Sequence, residues 1–409
     1  MRYVGTSSKG IRLPILKTGD NLKQIVCDTI IAAQENGELL IKDKDVIAIT
    51  ESLVARVQGN YATIDDIKDD VLRQFGRTEI GIVFPILSRN RFSILLKGIA
   101  KAASKVIIQL SYPSDEVGNK LVSDEEIIRN NLNPYSDVLD LKKYRELFGN
   151  RVHEFTGVDY VAFYEEIVRE QGADFEIVFS NSAETILKYT KNVIACDIHT
   201  REFTKQRLLK CGASKVIGLD NILATSNNGS GFNEKYGLLG SNKASEDSVK
   251  LFPRDAQGLC EDIQKTMFEK TGKHVEVMVY GDGAFKDPQG KIWELADPVV
   301  SPFHTSGLIG TPNELKLKYL ADNKYSSLNG DELKDAIRKD IALKDNKLVG
   351  KMVSEGTTPR QLTDLIGSLC DLTSGSGDKG TPVVYVQGYF DNYTNDWLWK
   401  ISHSIQINI

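Results

Sequence analysis

Apolar runs and helix-period segments alternate along the chain. Short runs rich in β-branched and aromatic residues, bounded by polar or glycine-containing turns, predict buried strands. These strands are 46–50, 106–110, 175–179, 192–197, 215–219, 275–280 and 383–387. Segments with apolar residues on one helical stripe predict amphipathic helices. These helices are 21–34, 64–75, 92–104, 158–170, 183–189, 200–210, 256–271, 313–320, 330–343 and 359–372. Together they predict an α+β, or mixed α/β, fold.

The middle of the chain has its own organisation. Between residues 136 and 222 helices and strands alternate regularly, which is typical of a parallel βαβ unit. A stretch rich in serine, asparagine and glycine, 221–231, follows and is typical of a linker. Since 409 residues exceed what one core usually serves, we predict a core, 1–84, an inserted α/β subdomain, 85–232, and the rest of the core, 233–409.

Composition excludes several functional classes of protein. A net charge of -5 without a basic stripe argues against a nucleic-acid surface. The five cysteines are scattered, so neither a zinc site nor a disulfide framework is indicated. No run approaches the roughly 18 apolar residues of a membrane helix, and the N-terminus has no signal-peptide core. We therefore expect a cytoplasmic protein that binds neither membranes nor nucleic acids.

An acidic loop, 280–297, follows the strand 275–280. Its carboxylates are Asp282, Asp287, Glu294 and Asp297. Glycine-broken loops at strand ends are common places for metals and phosphates, so we predict a metal site here. The alternative is an acidic, solvated turn.

Polar groups also follow the strand 46–50, where Ser52 and Arg56 are candidate ligand-binding residues. A second cationic stretch, 88–91, contains Arg89 and Arg91, whose guanidinium groups suit phosphate or carboxylate. The alternatives are a surface cation at Arg56 and a helix-entry turn with exposed arginines at 88–91.

The segment 374–382 is rich in glycine. Gly375, Gly377 and Gly380 match GxGxxG, but a dinucleotide fingerprint follows a strand and opens a helix, whereas this segment follows a helix and opens a strand. Together with Asp378 and Lys379, its backbone N–H groups can still hold a phosphate. The alternative is a flexible turn. The sequence contains neither a GxSxG nor an HExxH motif, so it does not indicate hydrolytic chemistry.

Four blocks resemble the coenzyme F-420 γ-glutamyl ligases, which join glutamate to a deazaflavin precursor using GTP and a divalent metal. The first, 18–22 with 43–59, is similar to the family's strand and Ser-Lys-Ala-Glu-Gly-Arg turn, with Ala55-Arg56 in place of Ser-Lys. The others are similar to the family's Gly-x-Asp-x-Ser-Asn, Asp-Thr-x-Gly-Arg and closing Gly-x-Pro segments. These are 240–245, 275–283 and 376–388.

The resemblance implies a ligase-like mixed sheet and a nucleotide-dependent amide ligase. GTP or ATP would activate a small-molecule carboxylate as an acyl phosphate, and an amino acid would attack it. Mg²⁺ or Mn²⁺ would be bound at Asn242 and Asp282, with Asp287 or Asp297 compensating for the neutral Asn242. Arg56 and Asp282 would be catalytic, and Ser52, Arg56 and the glycine-rich segment would bind the nucleotide.

Two departures from the family pattern leave an alternative open. Asn242 replaces a carboxylate, and Asp282 is displaced by one residue. A non-catalytic nucleotide-binding or regulatory protein on the same scaffold is therefore the second hypothesis. The resemblance also implies a homodimer, and it leaves the acceptor open between a deazaflavin and a folate-like compound.

Overall fold

The computed structural model describes residues 3–154, 156–281, 301–355, 360–375 and 377–394, and the backbone of 284–286 and 293–295. The strands are β1 (Ser7–Ile11), β2 (Val46–Thr50), β3 (Tyr61–Thr63), β4 (Glu79–Val83), β5 (Lys105–Leu110), β6 (Leu139–Asp140), β7 (Asp174–Phe179), β8 (Asn192–Ala195), β9 (Lys215–Gly218), β10 (Asn242–Ser245), β11 (Ser248–Lys250), β12 (Glu276–Tyr280), β13 (Ala284–Lys286), β14 (Trp293–Leu295), β15 (Phe303–His304) and β16 (Val383–Gln387). The α-helices are α1 (Leu22–Glu35), α2 (Glu51–Gln58), α3 (Ile64–Phe75), α4 (Phe92–Ala102), α5 (Asp124–Arg129), α6 (Leu141–Phe148), α7 (Tyr160–Glu170), α8 (Arg201–Lys210), α9 (Gln257–Thr271), α10 (Leu317–Tyr319), α11 (Gly330–Ala342) and α12 (Leu362–Thr373).

A five-stranded mixed sheet contains both ends of the described chain, in the order β1-β16-β2-β12-β15. Its β2 and β12 are parallel, and the other neighbours are antiparallel. Alternate residues of β2 face opposite cores: Ile47 and Ile49 pack beneath α1 and α9, while Val46 and Ala48 pack beneath α12. Burial on both faces explains why β2 is a continuous apolar run rather than an alternating one.

A six-stranded sheet is built from residues 79–218, which we call the parallel-sheet segment. Its order is β6-β7-β5-β4-β8-β9, and only β6 is antiparallel to its neighbour. Helices cover both faces, as parallel sheets require. The predicted mixed α/β fold with a parallel βαβ unit is therefore confirmed. The three-part domain division at residues 84 and 232 stays a prediction, since one core cluster includes Ile67, Ile80, Leu238 and Val249.

Local chemistry explains several element boundaries. The Asn21 side chain accepts a hydrogen bond from Gln24 N at the start of α1, and Thr63 with Asp66 forms a capping box on α3. Such caps satisfy backbone donors that a helix start leaves free. The sequence pattern therefore located these helices closely.

Other elements differ from the predictions. Strand β4 was not predicted, because its central Gly81 weakens the strand signal; a Cβ there would lie 2.5 Å from Ile186 Cγ1. The predicted helix 183–189 is a 3₁₀-helix, Ala183–Lys188. The predicted helix 313–320 begins only at Leu317 and continues as a π-helix through Lys324. Strand β1, which ends at Ile11, was not predicted either.

A small antiparallel sheet, β10-β11-β3, joins the two larger parts. Its β3 leads from α2 to α3, while β10 and β11 lie after the return from the parallel-sheet segment. Among the described residues, no helix is long and apolar enough to cross a membrane.

Candidate functional site

Three strands bring their ends together at one edge of the five-stranded sheet. Tyr280 pairs with Thr50 at the carboxyl ends of the parallel β12 and β2. Strand β16 begins at the same edge, because Thr50 N donates to Pro382 O at 3.1 Å. Loops beyond carboxyl ends of neighbouring parallel strands are the usual ligand position in such sheets. The start of the acidic loop, the start of α2 with Ser52 and the end of the glycine-rich segment therefore all lie at this edge.

Glu51, Lys250 and Arg91 form a charged cluster at this edge, which we call the edge cluster. Glu51 is the first residue of α2 and is 9 % exposed. Its Oε2 is buried and has no hydrogen-bond partner among the described residues. Lys250 ends β11, and Arg91 immediately precedes α4; both are half-buried. Glu51 interacts electrostatically with both cations, although the three residues come from separate parts of the chain.

Burial dominates the electrostatics of the edge cluster. Loss of hydration raises the pKa of Glu51 from 4.5 to about 7, although Lys250 and Arg91 both oppose this shift. Loss of hydration also lowers the pKa of Lys250 and of Arg91, and Glu51 opposes both shifts. Desolvation disfavours every charged form, while opposite charges favour it. A carboxyl that titrates near neutral pH is a common property of functional sites.

The structure brings three of the predicted site residues to the edge cluster. Ser52 Oγ accepts a hydrogen bond from Lys250 Nζ. Asn242 pairs with Lys250 across β10 and β11. Arg56 is exposed at the end of α2, where its Nε donates to Leu16 O at 2.7 Å, and its charge contributes to lowering the pKa of Lys250.

The glycine-rich segment forms a closed loop between α12 and β16. Thr381 N donates to Gly375 O at 2.7 Å, and Gly380 N donates to Gly377 O at 3.2 Å. Leu13 N binds Gly380 O on the β1 side. Asp378 and Lys379 are exposed on this loop, so their side chains are accessible to a ligand.

A cavity of about 510 Å³ lies beside the loop, against β1 and α1. Its charged lining residues are Arg12, Glu38 and Lys379. Three threonine side chains, Thr29, Thr373 and Thr381, add hydroxyl groups to the wall. The cavity is large enough for a small-molecule ligand, and its cations and hydroxyls suit a phosphate.

The predicted metal ligands are only partly described. Asp282, Asp287 and Asp297 lie outside the described residues. Asn242 offers a neutral amide, and its partner in the sheet is the cation Lys250. Within the described parts of the chain, no group of three or more histidine, cysteine or acidic side chains is arranged to hold a metal. The described donors therefore do not fit a divalent cation by themselves.

Comparison with known protein families gives one match that spans nearly the whole chain. The model of the F420-0:Gamma-glutamyl ligase family matches residues 10–388. The chain belongs to this family. Membership supports a ligase role and confirms the resemblance seen in the sequence. Both the five-stranded sheet and the parallel-sheet segment lie within the matched range, so the family assignment applies to the whole site-bearing scaffold.

Other comparisons add little to the family assignment. No curated protein sequence matches the chain. Among solved structures, the biosynthetic arginine decarboxylase of Campylobacter jejuni has 13% identity over 88% of this chain and 67% of its own, with a TM-score of 0.14. This score is too low to indicate a shared fold.

The sequence pointed only partly to the edge cluster. Arg91 was named with Arg89 in the cationic stretch 88–91, whereas Glu51 was not singled out although it lies beside Ser52. Lys250 was missed. Lys250 lies between the apolar residues Val249 and Leu251, and this alternation is typical of a strand whose polar side chain faces solvent. Its half-buried position follows only from the tertiary structure.

Proposed function

We propose that this ligase family member is a nucleotide-dependent amide ligase that joins an amino acid, glutamate or a similar one, to a small-molecule carboxylate. The carboxylate is activated as an acyl phosphate by GTP or ATP and then attacked by the amine. The observation that supports this most is the convergence of the edge cluster, the start of the acidic loop and the glycine-rich loop at one sheet edge in a chain of this family.

The described residues suit the demands of phosphoryl transfer. Negative charge develops on the transferred group, and fixed cations that need no reorganisation stabilise it best. Lys250 is held by Ser52, and Arg56 is held by the Leu16 carbonyl. In this proposal the glycine-rich loop, with its exposed Lys379, contacts phosphate oxygens. Together these residues bind and orient the substrates.

Divalent-metal dependence belongs to the same proposal. Mg²⁺ or Mn²⁺ offsets phosphate charge when bound. Asn242 and Asp282 remain the proposed ligands, with Asp287 or Asp297 as additional carboxylates.

A second candidate is a non-catalytic nucleotide-binding or regulatory protein. One observation favours it: the Glu51 carboxyl already interacts electrostatically with both cations of the edge cluster. An internal anion at that place competes with a substrate anion.

Nucleotide binding and turnover separate the two candidates. Isothermal titration with GTP and ATP, with and without Mn²⁺, should show metal-dependent binding of one nucleotide. Glutamate-dependent phosphate release should then appear with a suitable carboxylate, tested over deazaflavin and folate-like acceptors. Metal-dependent binding without turnover on any acceptor would favour the regulatory candidate. Absence of nucleotide binding under every metal condition would contradict both.

Replacing Asp282 by alanine should abolish the metal-dependent part of nucleotide binding, because the variant lacks a carboxylate that we assign to the metal. The measurement is the nucleotide Kd by titration calorimetry with and without Mn²⁺. Asp322→Ala, at an exposed position of the π-helix, is the matched control and should bind like the wild type. An unchanged Kd for Asp282→Ala would place the metal elsewhere.

A further inference from the structure

Arg91 reaches the edge cluster from the parallel-sheet segment. It ends the loop 84–91, which begins directly after β4, the central strand that the sequence did not predict. Its other neighbours at the edge come from different elements: Glu51 from α2, Lys250 from β11 and Asp371 from α12. One loop therefore connects the second sheet of the protein to the proposed ligase site.

The parallel-sheet segment fixes the course of this loop. Leu87 N donates to the buried Asp115 Oδ2 at 2.8 Å. Ser88 N donates to Tyr164 Oη at 3.0 Å, and that hydroxyl donates in turn to Ile86 O at 3.0 Å. Asp115 follows β5 and Tyr164 lies in α7, so the loop is anchored to elements around the six-stranded sheet.

The far end of the loop is anchored as well. Arg91 N donates to Ser88 Oγ at 3.0 Å, which tightens the final turn. Lys243 N, from β10, donates to Asn90 O at 2.8 Å. A long side chain loses rotamer entropy when it binds a ligand. Because the backbone of the loop is already anchored at both ends, binding needs to order only the Arg91 side chain. The position of Arg91 is thus built into the fold.

The surroundings of Arg91 and Lys250 carry charges of both signs. Glu51 and Asp371 act on the Arg91 guanidinium, and Glu51 and Arg56 act on the Lys250 ammonium. The guanidinium is half-buried, so it combines partial desolvation with access. A guanidinium fork matches two oxygens of a carboxylate or a phosphoryl group, and such charge-assisted pairs strengthen as water is excluded.

We propose that Arg91, together with Lys250, binds an oxyanion of the ligase substrates, so that the parallel-sheet segment completes the ligase site. This inference rests on the proposed function for the identity of the oxyanion. Its two sources are the transferred phosphoryl group and the carboxylate of the amino acid. In this proposal the parallel-sheet segment contributes a substrate-binding residue, Arg91, to the ligase site.

Glu51 regulates this binding through its charge. Because burial places its pKa at about 7, the carboxyl is largely ionised at pH 8 and largely protonated at pH 6. The ionised form neutralises one of the cations that the oxyanion needs, while the protonated form does not. The other groups facing it are Lys250 and Arg91, with Asp371 and Arg56 behind them. Binding of a carboxylate, whose own charge is constant over this range, therefore tightens as pH falls from 8 to 6.

The test measures binding by the full chain with two probes, inorganic pyrophosphate and L-glutamate, by titration calorimetry at pH 6 and pH 8. Arg91→Ala should weaken binding of one probe about tenfold or more, and Arg91→Lys should keep part of the affinity. Arg89→Ala removes an exposed arginine from the same loop. This variant should bind both probes within about twofold of the wild-type affinity, because surface substitutions outside a site usually have small effects. Glu51→Gln should bind L-glutamate more tightly than the wild type at pH 8 and lose the pH dependence, because glutamate keeps its own charge between pH 6 and pH 8.

The two probes identify the source of the oxyanion. Loss confined to pyrophosphate assigns Arg91 to the phosphoryl group, and loss confined to glutamate assigns it to the amino-acid carboxylate. Equal affinities for Arg91→Ala and Arg89→Ala would overturn the inference, as would failure of the folded wild type to bind either probe. Circular dichroism confirms that each variant is folded.

Failure of this inference can be told apart from failure of the proposed function. If the wild type turns over nucleotide and amino acid while Arg91→Ala has unchanged KM and kcat, the ligase function stands and the role of Arg91 is wrong. If Arg91→Ala loses probe binding but no acceptor supports turnover, the oxyanion site stands and the ligase function is wrong.

Discussion

Replacing Glu51 by glutamine should raise the free energy of unfolding at pH 8 by roughly 3 kcal/mol. The folded protein holds the Glu51 proton more tightly than the unfolded chain, because burial raises the pKa from 4.5 to about 7. Between these values the folded state binds more protons, so the wild type loses stability as pH rises. Glutamine has no charge to desolvate, and the gain should therefore vanish near pH 4.5 and reach its full size above pH 7.

Urea unfolding followed by circular dichroism at pH 5, 6, 7 and 8 measures this effect. Glu35→Gln, at an exposed position near the end of α1, is the control and should follow the wild type at every pH. Parallel curves for the wild type and Glu51→Gln would mean that Glu51 is ionised without penalty in the folded protein. The interpretation of the edge cluster as a desolvated site would then be wrong.

Replacing Asn60 by aspartate should destabilise the protein more than any surface substitution, by roughly 3 kcal/mol or more. Asn60 is fully buried. Its Nδ2 donates to Phe232 O at 3.0 Å and to Phe252 O at 2.8 Å, and its Oδ1 accepts from Phe232 N at 3.0 Å. This side chain fastens the end of α2 to two segments that follow the return from the parallel-sheet segment. An aspartate would direct a carboxylate oxygen at two carbonyl oxygens.

Thermal and urea unfolding measure the loss. Asn60→Ala should cost less than Asn60→Asp at pH 8, because it buries no charge. The aspartate variant should recover part of its stability as pH falls, since a protonated carboxyl donates one hydrogen bond again. Asn150→Ala, at an exposed turn, should match the wild type. Equal stability of the aspartate variant and the wild type would contradict the assigned hydrogen bonds.

The two predictions concern residues that link separate parts of the chain. Glu51 begins α2, directly after a strand of the five-stranded sheet, and interacts electrostatically with Arg91 from the parallel-sheet segment. Asn60 lies a short distance further along and fixes the segments that return from it. The junction between the two large sheets therefore contains both the hydrogen bonds that hold the two parts together and the proposed ligase site.

The sequence by itself determined the elements with strong local signals. The apolar runs of β2, β12 and β16 are buried on both faces, so no tertiary detail was needed to recognise them. The asparagine cap at the start of α1 and the alternating pattern of the middle region likewise express local physics. Four short blocks also sufficed for the family resemblance, because their order along the chain is itself a constraint.

Only the tertiary structure decided which residues meet. Strand β4 is weak as a local pattern, and its Gly81 is explained by the close approach of Ile186. Glu51, Arg91 and Lys250 are far apart in sequence, and the local sequence around each is typical of an exposed charged residue. Strand register at the sheet edge and the anchored loop 84–91 bring them together. Burial then changes their pKa values, because desolvation depends on the surroundings and not on the residue itself.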